Sequence, residues 1–134
     1  MLASPSLDVD ALVLESVYPD IETAIGNRIG ARIPGGALLT PLLSWQIKPR
    51  AGVSASWLNP ALRAQTIDVP ALVLSGTEDT QTTVEDTHKL FNALAGVKQL
   101  HFFEGAAHVN LYRYDAQQYK QVVLSFLNTH LLYR

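Results

Sequence analysis

Three short apolar runs constrain this chain more than any other feature. Ala11-Leu12-Val13-Leu14, Ala71-Leu72-Val73-Leu74 and Leu100-His101-Phe102-Phe103 are continuous rather than alternating. The first follows Asp8 and Asp10 and ends in Glu15-Ser16. The second is entered from Pro70 and left through Ser75-Gly76, and the third closes on Glu104-Gly105. A strand with one wet face alternates polar with apolar residues, whereas a continuous run reads as a strand covered on both faces, as in a parallel sheet.

Helical periodicity fills the intervals. Ile21, Ala24, Ile25 and Ile29 place an apolar stripe along residues 20–33. Thr82-Thr83-Val84-Glu85 reads as a capping box whose helix turns Leu90, Phe91 and Leu94 inward, with Gly96 as its stop. A last helix, about Asp115 to Leu131, carries Tyr119, Val122, Val123, Phe126 and Leu127 on one face. Strand, helical segment, strand, helix, strand, helix is an α/β order with right-handed crossovers. The interval 34–66 is broken by Pro34, Gly35, Gly36, Pro41, Pro49, Gly52 and Pro60. It still holds Leu38, Leu39, Leu42, Leu43, Trp45, Trp57 and Leu58. An insertion of that length between strands of one sheet is expected to be a lid or a helical cover.

A chain of 134 residues is one domain's worth. With 48% hydrophobic and 16% charged residues, it excludes the disordered class. The net charge of −2 leaves no basic excess for phosphates, so no nucleic acid partner is expected. The absence of cysteine removes thiol nucleophiles, thiolate metal sites and disulfides. No stretch approaches the ~20 apolar residues of a membrane span, and Met1 to Asp10 lacks the cationic start of a secretory signal. A cytoplasmic location is the expectation.

The residues with chemistry lie at strand ends. Asp79 follows the second run through Gly76-Thr77-Glu78, and His108 follows the third through Gly105-Ala106-Ala107. They stand 29 positions apart, enough for one crossover helix. Functional groups of an open parallel sheet gather at its carboxyl edge, where an acid can fix one imidazole nitrogen as N–H and leave the other as a base. Taken alone, an Asp at a strand end is commonly a turn former or cap, and a single His commonly packs. Glu78 is the alternative acid. His88, His101 and His130 lack metal-site spacing and read as packing or surface residues. Trp45 and Trp57 read as cap packing, and Ser16 and Ser75 as strand-end turn residues.

These two strand-and-loop units and the closing helix resemble the C-terminal part of the α/β-hydrolase family, from Asp8 to the last helix. The resemblance implies about three parallel strands with flanking helices and a helical cap. Residues 8–19 correspond to the family's sixth strand and turn, 20–66 to a cap or lid, and 67–134 to the part bearing the acid and the histidine. It further implies Asp79 as triad acid and His108 as triad base, with no cofactor or metal. The family's frequent proline after the acid is replaced here by Thr82-Thr83. The substrate class implied is a small-molecule ester or other acyl compound.

The family's serine sits on a G-x-S-x-G elbow that precedes acid and histidine in the chain. No G-x-S-x-G occurs in these residues. Gly52-Val53-Ser54-Ala55-Ser56 imitates it without the final glycine or a preceding strand, so Ser54 is a poor nucleophile candidate. The expectation is a truncated portion of a serine hydrolase, inactive alone, able to self-associate through an exposed strand edge. The alternative is a non-catalytic interaction module derived from a hydrolase. A flavodoxin-like domain fits less well, because no glycine-rich phosphate loop follows any of the runs.

Overall fold

The computed structural model describes residues 9–45 and 59–132. Three parallel strands, β1 (Leu12–Glu15), β2 (Ala71–Gly76) and β3 (Lys98–Phe103), form one sheet in the order β1-β2-β3. Leu12 pairs with Ala71 and Ala71 with Lys98, which brings the carboxyl ends of β2 and β3 level at Gly76 and Phe103. β2 lies in the middle, and all six of its residues are buried.

Strand alternation divides the core between the sheet's two faces. Ala71 and Val73 pack with Leu14, Ala64, Leu90 and Leu94. Leu90 belongs to α4 (Val84–Ala93), and Ala64 to the short α3 (Pro60–Ala64). Leu72 and Leu74 turn to the other face and pack with Phe103, Ala106, Leu111 and Phe126. Leu111 opens the four-residue α5 (Leu111–Tyr114), and Phe126 lies on α6 (Ala116–Leu131). Tyr119, Val122, Val123 and Leu127 complete the stripe of α6 against this cluster, as their spacing predicts. Burial of a phenylalanine such as Phe126 is worth about 1.5–3 kcal/mol in transfer alone.

The flanking strands are less enclosed than their apolar runs suggest. Val13 of β1 and Gln99 of β3 are exposed, so only the middle strand is covered throughout on both faces. In the 20–66 interval, α1 (Ile21–Gly30) forms over the predicted stripe, but none of its residues is fully buried. A 3-10 turn over Gly36–Leu39 leads into α2 (Thr40–Trp45). Leu38, Leu42 and Trp45 face outward, Trp45 being 75% exposed, so the packing role expected for Trp45 does not hold. Ser54, Trp57 and Leu58 lie outside the described residues.

Two helix boundaries also differ from the sequence pattern. The capping box of α4 uses Thr83 and Asp86, one position later than Thr82 and Glu85. Both pairs fit the motif, but Thr82 is drawn away because its N–H serves Asp79 and its hydroxyl donates to the Ser16 carbonyl. The helix ends at Ala93, and Gly96 then sits against the Asp68 carbonyl with its N–H bonded to Ile67.

Candidate functional site

The site forms where the loops after β2 and β3 lean on each other. Thr77 N–H donates to the Phe103 carbonyl at 3.1 Å, and Glu78 N–H to the Ala106 carbonyl at 2.9 Å. In return, Gly105 N–H donates to Thr77 Oγ1 at 2.8 Å. Two glycines permit this approach. A Cβ on Gly76 would collide with the Ala106 carbonyl oxygen, and Gly105 turns the chain at φ +72°.

Asp79 is buried at the start of the loop that leads to α4. Its Oδ1 accepts the N–H groups of Gln81 at 2.8 Å and Thr82 at 2.7 Å, an Asx-type turn that fixes the carboxyl group. Its Oδ2 lies 2.8 Å from Nδ1 of His108. A carboxylate only accepts hydrogen bonds, so in a pair of carboxylate and neutral imidazole Nδ1 is the donor and Nε2 the basic nitrogen. The Asp79 side chain has no exposed area, while that of His108 is 33% exposed. The acid is therefore shielded from water and the imidazole remains accessible.

The chain thus brings Asp79 and His108 together and leaves the other candidates apart. Glu78 is exposed and contributes its backbone N–H, not its carboxyl group, to the loop contact. His88 packs near the Phe102 ring, His101 lies edge-on to Phe103, and His130 sits against Phe126. Ser75 lies inside β2 and is fully buried, rather than in a turn. Ser16 does follow a strand end, in the left-handed region at φ 47°.

Three supporting residues escaped the sequence reading. Tyr18, beyond the end of β1, places its ring centroid 6.3 Å from that of His108. Asn27 of α1 donates through Nδ2 to the Gln81 carbonyl at 2.9 Å and to Asp86 Oδ2 at 2.7 Å, tying α1 to the acid loop and the α4 cap. Glu15, the last residue of β1, accepts the Leu111 N–H at Oε1 and the Tyr119 hydroxyl at Oε2, both at 3.1 Å. Burial, then the Glu15 charge and this hydrogen bond, push the Tyr119 phenol above its ordinary pKa. These contacts span dozens of positions, so no local motif announces them.

No protein-family model matches the sequence. The uncharacterized protein YqkD of Bacillus subtilis (strain 168) is 28% identical over 109 residues, covering 81% of this chain and 35% of YqkD. Among solved structures, a Pyrococcus horikoshii acylaminoacyl peptidase is similar over 96% of this chain and 21% of its own, with a TM-score of 0.67 and 16% identity. A Pyrococcus furiosus esterase is similar over 96% of this chain and 47% of its own, with a TM-score of 0.60 and 19% identity. An alpha/beta fold family hydrolase of Bacillus anthracis str. Sterne is similar over 88% of this chain and 58% of its own, with a TM-score of 0.60 and 12% identity. The fold is that of the C-terminal part of an α/β-hydrolase. This chain spans about a third of YqkD and about a fifth to three fifths of these structures. Among the described residues, no helix is long and apolar enough to cross a membrane.

Proposed function

We propose that Asp79 and His108 are the acid and base of a Ser-His-Asp triad that hydrolyses a carboxylic ester or related acyl bond, and that the serine is supplied by a segment outside these 134 residues. The observation that carries this reading is the 2.8 Å contact between a shielded Asp79 carboxyl group and the Nδ1 of an accessible imidazole. It is supported by the carboxyl-edge position of both loops and by the fold shared with a peptidase and an esterase. A nucleophile outside these residues agrees with the absence of a G-x-S-x-G sequence among them.

In such a reaction the serine Oγ attacks the acyl carbon while Nε2 of His108 takes the hydroxyl proton. His108 then gives that proton to the departing alkoxide, leaving an acyl-serine and an alcohol. Water, deprotonated by the same nitrogen, releases the acid and restores the serine. Asp79 keeps Nδ1 in its N–H form and stabilises the imidazolium in both half-reactions.

The test is a fusion in which an α/β-hydrolase N-terminal half bearing the elbow precedes this chain. The fusion should hydrolyse an activated short-chain ester, and His108→Ala should lower its rate by about 10⁶-fold, down to the residual catalysis that binding and an oxyanion hole supply. Ester hydrolysis by the fusion at a rate unchanged in His108→Ala would overturn the assignment.

A further inference from the structure

We infer that Glu15 is a positioning residue for the His108 loop, acting as a strut from the end of β1. The inference rests on the reading of Asp79 and His108 as acid and base. The loop runs from Phe103, at the end of β3, to Leu111, at the start of α5. Its first half is held from β2's extension, through Thr77 Oγ1 to Gly105 N–H and through Glu78 N–H to the Ala106 carbonyl. Its far end is held from the opposite side of β2, where Glu15 Oε1 accepts the Leu111 N–H three residues beyond His108. His108 lies between these anchors.

The chemistry of Glu15 is unusual for its place. Its register partner Leu74 turns to the face that packs Phe103, Leu111 and Phe126, where an apolar side chain would be the less costly choice. Glu15 instead receives one neutral donor on each carboxylate oxygen, the Leu111 N–H and the Tyr119 hydroxyl. A carboxylate spreads two acceptors across a fixed plane, so one oxygen ties β1 to the start of α5 through Leu111 while the other is occupied by Tyr119 of α6. The first of those helices starts at Leu111, close behind His108 in the chain. The strut therefore sets how far the loop can retreat from Asp79.

The measurement is the exchange of the His108 Nδ1 proton with water, followed by NMR in protein labelled with ¹⁵N-histidine and assigned with His108→Ala. In the wild-type chain this proton is expected to be protected by Asp79. Glu15→Ala should speed its exchange about tenfold, the loss expected for one hydrogen bond to a charged group. Glu15→Gln keeps an acceptor for the Leu111 N–H and should stay within about twofold of wild type. Tyr119→Phe removes the other donor, perturbs the same helix and leaves the Leu111 bond in place, so it should also leave the exchange near wild type. Should Glu15→Ala fail to fold, Glu15→Asp keeps the charge but is one methylene too short to reach the Leu111 N–H, and the tenfold acceleration is expected there. Unchanged exchange in the folded Ala or Asp variant would overturn the strut alone. Equal acceleration in Tyr119→Phe would overturn it too, by showing a general loosening. An unprotected Nδ1 proton in the wild-type chain would overturn the acid-base pair itself, and the strut with it.

Discussion

Asp79 and His108 contribute unequally to the fold. Asp79 answers three donors, two of them backbone N–H groups in a turn that continues into α4. Asp79→Ala strands those groups and should cost about 2–4 kcal/mol in urea unfolding. His108 is partly in water and makes one side-chain bond, so His108→Ala should cost about 1 kcal/mol or less. The same experiment on Gly76→Ala should show a larger loss than His108→Ala, because the new methyl group meets a backbone carbonyl that cannot move without parting the two loops. The meeting of Asp79 and His108 was legible in the sequence because each follows an apolar run by a few positions, and a parallel sheet brings such positions to one edge. The choice of Asp79 over Glu78 was legible only through the family pattern. In space it follows from the turn that buries one carboxyl group and leaves its neighbour exposed.

At the scale of elements, the sheet and the helices with full amphipathic stripes were readable, and the connections between them were less so. Repeated apolar spacing is written locally, as in α6, whereas the cap of α4 depended on a competition for Thr82 that begins at Asp79. Glu15 and Asn27 were not readable at all, since their partners lie 96 and 59 positions away. Tyr119, partly buried and beside the Glu15 charge to which it is bonded, has a pH signature. The folded-state pKa of the phenol is raised above its ordinary value of 10.0, so its contribution to stability is complete below pH 10 and is lost as pH rises through the folded value. Thermal melts across that alkaline range should show a decline for wild type that is reduced in Tyr119→Phe. Asn27→Ala should increase amide exchange at Gln81 and Thr82 relative to β2, because it releases α1 from the Gln81 carbonyl and from Asp86.

Across the whole molecule, the enclosed core lies around β2, while much apolar surface remains outside. Leu38 is 86% exposed, Leu42 and Trp45 also face outward, and Val13 lies on the side strand β1. Among the described residues no strand lies on the outer side of β1, and that strand contains neither lysine nor proline to discourage pairing. Self-association at micromolar concentration is therefore the expected behaviour in sedimentation velocity, and a monodisperse monomer at high concentration would contradict it. The same molecule-wide view separates what this chain holds from what its proposed chemistry requires. It supplies a carboxyl group and an imidazole in contact, and its sequence holds no G-x-S-x-G. The most direct test is to measure hydrolysis of an activated short-chain ester by the 134-residue chain alone, beside His108→Ala and with a serine-directed fluorophosphonate probe. The account predicts equal background rates for the two proteins and no labelled serine. Hydrolysis that depends on His108, or stoichiometric labelling of one serine such as Ser16 or Ser54, would contradict it.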